Sequence, residues 1–124
     1  MKQVFVSYVF EDRAHRDQVE QWSKEGRLGP VRIVGEQQDM RQSGEFAIRS
    51  HLAPLLKGAA SLVLLVGDNS HNHEWVKYEV EAMLSAGRPV ILARIPGTRG
   101  APPASVQRLQ EVALTPQSLR EALG

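Results

Sequence analysis

The apolar residues of this chain follow two alternating rhythms. Short unbroken runs of Val, Ile and Leu give way to longer stretches in which apolar positions return every third or fourth residue. The clearest run, residues 59–67, reads Ala-Ala-Ser-Leu-Val-Leu-Leu-Val-Gly. It is far shorter than the roughly 20 apolar residues that span a bilayer, and Gly67 closes it. It therefore predicts a strand buried on both faces. A polar loop over 68–73 comes next. Val76, Val80, Met83 and Leu84 then share one stripe of a predicted helix over 74–84.

The same alternation extends to both ends. Residues 3–8, Gln-Val-Phe-Val-Ser-Tyr, are β-branched and aromatic and predict the first strand. A polar helix over 11–26 has a thin stripe of His15, Val19 and Trp22, with Asp12 as a candidate cap and Gly26 as its C′ residue. Residues 31–34 predict a second strand, near a sheet edge because Arg32 interrupts it. After a polar loop over 35–42, Ser43 is a candidate N-cap for a helix holding Phe46, Ile48, Leu52, Leu55 and Leu56. Pro54 inside that pattern should kink or split the helix, and Gly58 ends it. Residues 90–95 predict a fourth strand. Residues 96–103, with three Pro and two Gly, predict a loop. A short helix over 104–110 turns Val106 and Leu109 inward, and a brief fifth strand covers 112–114. Thr115 then caps a terminal helix that starts at Pro116. Five strands alternating with helices predict an α/β fold, a doubly wound parallel sheet in the order 2-1-3-4-5.

In such sheets ligands bind beyond the carboxyl ends of the strands, so residues 68–79 lie where a site belongs. Glu79 falls one helical turn after Trp75 and shares its face. A carboxylate among large apolar neighbours is costly unless it is paired or opens onto a cleft. The alternative is a boundary glutamate that reaches water.

Bulk composition narrows the picture further. The 124 residues suit one domain over 1–124, and 42% hydrophobic content supports a core. A net charge of +1 carries no basic excess, which argues against a nucleic-acid partner. Without cysteine there is neither a disulfide framework nor a thiolate metal site. A strand directly after Met-Lys-Gln leaves no signal-peptide pattern. The expectation is a cytoplasmic, soluble domain without membrane association.

Several chemistries are missing their motifs. The chain has no P-loop, no Gly-x-Gly-x-x-Gly after the first strand, and no Gly-x-Ser-x-Gly elbow. His71, His73 and Asp68 occupy one short loop with no second cluster, so no metal is expected. A phospho-receiver would need acids after the first strand and an aspartate after the third. Glu11, Asp12 and Asp68 offer these, but no lysine ends a later strand and Arg94 is the nearest cation.

Three segments carry a family resemblance: Val4-Phe5-Val6-Ser7-Tyr8 with Phe10-Glu11-Asp12, the run from Lys57 to Gly67, and Ser70 through Trp75-Val76-Lys77-Tyr78-Glu79. Together they resemble the TIR-like domains, most closely the stand-alone TIR-like proteins of the Thoeris anti-phage system, over roughly residues 2–95. The resemblance implies a flavodoxin-like fold that takes NAD as substrate and needs no further cofactor. It implies cleavage of the nicotinamide–ribose bond, as a glycohydrolase or ADP-ribosyl cyclase, with Glu79 as the catalytic glutamate. Ser7, Tyr8, Phe10, Trp75 and Asp68 become candidate substrate-binding residues. It also implies a homo-oligomer on activation, and an effector reached through a cyclic or conjugated ADP-ribose product. Arg94 or Arg99 are candidates to hold the diphosphate. The competing reading is a non-catalytic TIR-like module that signals by assembly.

Overall fold

The computed structural model describes residues 1–35 and 45–124. The chain runs β1 (Lys2–Ser7), α1 (Arg13–Lys24), β2 (Val31–Val34), α2 (Glu45–Gly58), β3 (Ser61–Val66), α3 (Glu74–Ser85), β4 (Val90–Arg94), β5 (Glu111–Ala113) and α4 (Pro116–Leu123). Short 3-10 turns at Phe10–Asp12, Ser70–Asn72 and Ala104–Val106 join them. The strands form one parallel sheet in the order β2-β1-β3-β4-β5, the doubly wound arrangement that the strand–helix alternation predicts. The predicted Ser43 cap, the 36–42 part of the predicted loop, and the Phe46 and Ile48 side chains lie outside what is described.

Strand alternation sorts the core into two layers. Phe5, Leu62, Leu64, Val66 and Leu92 pack with Leu52 and Leu56 of α2 and with Val76, Val80 and Met83 of α3. Val4, Val6, Val63, Leu65 and Ala93 pack on the opposite face with Val19 of α1 and Leu119 of α4. All six residues of β3 are buried. Each large side chain so removed from water contributes about 1.5–3 kcal/mol.

Four local expectations need correction. Pro54 does not split its helix; α2 is one helix over Glu45–Gly58. Pro54 and Ser50, whose carbonyl loses its N–H partner, are both exposed, so that carbonyl can turn to water. Leu84 is 40% exposed, because the buried face of α3 is Val76, Glu79, Val80 and Met83. The predicted helix over 104–110 is a single 3-10 turn, and Leu109 is 42% exposed while Val106 is buried. Asp12 stands at the N-cap position of α1 but makes no cap bond with its side chain. Thr115 does cap α4, its hydroxyl accepting from the Ser118 N–H at 3.2 Å.

Candidate active site

α3 starts from a loop tied to the end of β3. The hydroxyl of fully buried Ser70 accepts from the Gly67 N–H at 2.9 Å and donates to the Leu65 carbonyl at 3.1 Å. His73 caps the helix, its Nδ1 accepting from the Val76 N–H at 3.4 Å. The helix then runs back across the sheet face that carries Phe5. Ser7, two residues beyond Phe5, presents its side chain to that same face. Its hydroxyl donates to Glu79 Oε1 at 2.7 Å. Ser7 is 1% exposed and Glu79 6% exposed. A hydroxyl on a buried carboxylate offsets part of the cost of removing it from water.

Glu79 thus occupies a core position of an otherwise apolar stripe. Trp75, one turn earlier, packs against the same core layer. It also meets Tyr78 edge-to-face, with centroids 5.7 Å apart and planes at 86°. The guanidinium of Arg49 lies 5.1 Å from the centroid of the Tyr78 ring. Trp75 and Tyr78 therefore flank Glu79 along α3, both partly buried against the same core layer.

The remaining sequence candidates spread along the carboxyl edge of the sheet. Tyr8 packs against the opposite core layer, with Val4 and Val6. Phe10 is half-buried at the turn after β1, with the Arg13 guanidinium 4.6 Å above its ring. Asp68 is exposed, and its Oδ1 accepts from the Arg99 N–H at 2.9 Å. Arg94 is committed elsewhere: it grips Glu111 with two hydrogen bonds of 2.9 and 2.6 Å and donates to the Gly100 carbonyl at 2.6 Å. This pairing draws its charge away from the role of a diphosphate clamp. Arg99 keeps an exposed position. Among the described residues, no group of three or more His, Asp or Glu is placed to hold a metal ion.

The loops after β1, β3 and β4 are joined into one platform that sequence reading missed. Asn69 Nδ2 donates to Glu11 Oε1 at 2.8 Å, and the Thr98 hydroxyl donates to the Val66 carbonyl at 3.2 Å. Gly100 lies so close to the backbone of Gly67 and Asp68 that a Cβ there would collide with both carbonyl oxygens. Asp12 turns its carboxylate against Gly67, where a built Cβ would stand 2.5 Å from Oδ2. That Oδ2 is buried and has no hydrogen-bond partner. Burial pushes the Asp12 carboxyl above its ordinary pKa; Glu11 and Asp68 push the same way, and His15 pulls against them. Arg16 of α1 is also unexpectedly buried, pairing with Glu20 while its Nε and Nη2 lack partners. The one signal for the platform was the density of Gly and Pro over 96–103, which marks close backbone approach as well as a loop.

Comparison with known proteins places the architecture. The TIR domain of the Toll-related receptor TRR-2 from Hydra magnipapillata superposes with a TM-score of 0.63 at 11% identity, covering 87% of this chain and 80% of that one. A 2-desoxiribosyltransferase from Leishmania mexicana superposes with a TM-score of 0.53 at 12% identity, over 76% of this chain and 65% of that one. At these identities the likeness is one of fold. No curated protein sequence matches the chain. The family model described as the TIR-like domain of Thoeris protein ThsB matches residues 5–100. With most of its length matched, and with the flavodoxin-like sheet that a TIR domain shares, the chain belongs to the Thoeris ThsB TIR-like domain family.

Proposed function

We propose that this chain is an NAD-consuming enzyme that cleaves the bond between nicotinamide and ribose, with Glu79 as its catalytic carboxylate. The observation that carries this reading is the position of Glu79: a core site of α3, 6% exposed, with the Ser7 hydroxyl on Oε1 at the carboxyl end of β1. That is the end of a doubly wound sheet where ligands bind.

The chemistry asks little of the protein. As the C1′–N bond breaks, its electron pair goes to the pyridinium nitrogen, and nicotinamide leaves neutral. No general acid is needed for the leaving group, unlike ordinary glycoside hydrolysis with its two carboxylic groups. Positive charge develops on the ribose ring, and one preorganised carboxylate in a low-dielectric setting stabilises it. The Ser7 hydrogen bond holds the plane of that carboxylate. A nucleophile then attacks C1′ and gives up a proton. Water yields free ADP-ribose, whereas a hydroxyl or the adenine of the substrate yields a cyclic or conjugated product. A dry pocket favours the second outcome, in keeping with a signal that reaches an effector during anti-phage defence, formed by protomers that assemble on activation.

The competing reading, a TIR-like module that signals by assembly without turnover, draws on the same burial. A substrate reaches a carboxylate 6% exposed only after its cover shifts. One experiment separates the two: incubate purified protein with NAD over a range of protein concentrations, follow nicotinamide by chromatography, and run Glu79→Gln in parallel. Nicotinamide release that the variant loses supports the enzyme. Self-association by light scattering, with no release at any concentration, supports the module.

A further inference from the structure

The Asp12 carboxylate has no part in the proposed chemistry, and its surroundings are badly suited to a negative charge. Oδ2 is buried without a donor. It presses on Gly67, a residue whose missing side chain makes the room for it. The groups that act on it are Glu11 in its own turn, His15 on α1 and Asp68 across the gap at the end of β3. Arg99, from the loop after β4, enters this cluster through its backbone N–H on Asp68. Two of the three charged neighbours are acids, so an ionised Asp12 is repelled from the place it occupies, while a protonated His15 alone favours the charged form. Adding a proton removes that repulsion and the cost of holding a buried charge.

We propose that Asp12 is a proton-operated latch between the loop after β1 and the loop after β3, closed over Gly67 when protonated and loosened when ionised. The latch sits five residues beyond Ser7, so its state governs how firmly the chain leaving β1 is held beside the site. Its operation does not rest on NAD turnover; an inert chain would show it equally. The linkage is direct. The carboxyl holds its proton more tightly when packed on Gly67 than when solvated, because burial is the largest cause of its displacement. Acidification therefore favours the packed arrangement.

Two backbone N–H groups report on the latch: that of Asp12, which donates to the Val9 carbonyl at 2.8 Å, and that of Gly67, which donates to the Ser70 hydroxyl at 2.9 Å. The test is amide hydrogen exchange of the full chain between about pH 7 and about pH 4, corrected for intrinsic exchange. The expected result is protection at both amides that rises on acidification, about tenfold for each unit by which the packed carboxyl exceeds its solvated value. Asp12→Asn, neutral at every pH, should keep its protection level across the range. Gly67→Ala, whose methyl fills the carboxyl's place, should lose the pH response with Asp12 still present. The proposal is overturned if wild-type protection stays flat or falls on acidification, or if either variant retains the wild-type rise. Nicotinamide release measured on the same samples judges the enzymatic reading separately.

Discussion

Ser7 and Glu79 stand 72 positions apart in the chain, and the hydroxyl of one lies 2.7 Å from the carboxylate of the other. The contact joins the end of the first strand to the second turn of α3, and it exists only once β1 and β3 pair in register, Ser7 opposite Leu64. It makes the position of Glu79 a property of the whole sheet rather than of its helix.

Replacing Glu79 by Gln keeps the shape and the acceptor for Ser7 but removes the charge. On the proposed reading, nicotinamide release falls by about two to three orders of magnitude, the loss typical of removing one preorganised electrostatic group. The far-ultraviolet circular dichroism should be unchanged. Chromatographic assay at saturating NAD checks this, and a fully active variant would remove Glu79 from the mechanism.

Ser7→Ala acts through Glu79. It strips one donor from a buried carboxylate, at a cost of about 1–3 kcal/mol in stability, read as a lower urea midpoint with an unchanged slope. Turnover should fall mainly in kcat, because the carboxylate loses its orientation rather than the pocket its shape. Ser7→Thr, which keeps the hydroxyl, should recover part of both losses.

Gly100 should tolerate no side chain. Its Cβ would meet the carbonyl oxygens of Gly67 and Asp68, where Ser70 holds the Gly67 N–H and the Arg99 N–H holds the Asp68 carboxylate. Gly100→Ala should cost about 1–3 kcal/mol through overpacking. Gly87→Ala is the control: it has open space and a φ of 69°, so its cost is the backbone strain alone, about 1–2 kcal/mol. Only the Gly100 change should also perturb the Asp68 and Gly67 amide signals in NMR spectra.

The pH dependence of Asp12 has a definite sign. Its folded-state pKa lies above the ordinary 3.8, so between those two values the folded chain binds more protons than the unfolded one. In that window stability falls as pH rises, and above it a constant penalty remains. Asp12→Asn removes the penalty. The variant should melt higher than wild type at neutral pH, with the gap narrowing through the folded pKa and closing below 3.8. Thermal melts in one buffer series measure it; a gap that widens towards acid would contradict the assigned direction.

Much of the architecture could be read before any coordinates, for a simple reason. β3 is a continuous apolar run because both its faces are covered, and such runs leave few alternatives. The strand order 2-1-3-4-5 was the common arrangement for so small a doubly wound domain, and the sheet adopts it. The site was legible in one residue and obscure in its partners. Helical spacing joined Glu79 to Trp75, but it turned Leu84 inward, where the core takes Glu79 instead. Hydrophobicity ranks Leu above Glu at any buried position; the Ser7 hydroxyl, supplied from β1, helps to make the reverse choice tolerable. Tyr8 and Ser7 are adjacent in sequence, yet Tyr8 packs against the opposite layer. Asp12 matched a capping rule built on local neighbours, and that rule has no sight of Gly67 across the sheet edge. Arg94 looked like a free cation because Glu111, its partner, lies 17 residues away.

The packing of the last quarter of the chain bears on how far this fold can be trimmed. The family match stops at residue 100, yet Val106 fills one core layer and Leu114 and Leu119 fill the other. A fragment cut at that boundary would strip β5 from β4 and leave an unprotected strand beside uncovered Ala93 and Ile95. Such an edge recruits other chains. Clumping of a shortened version would then reflect a wound in the sheet, and would carry no information about self-association of the 124-residue chain.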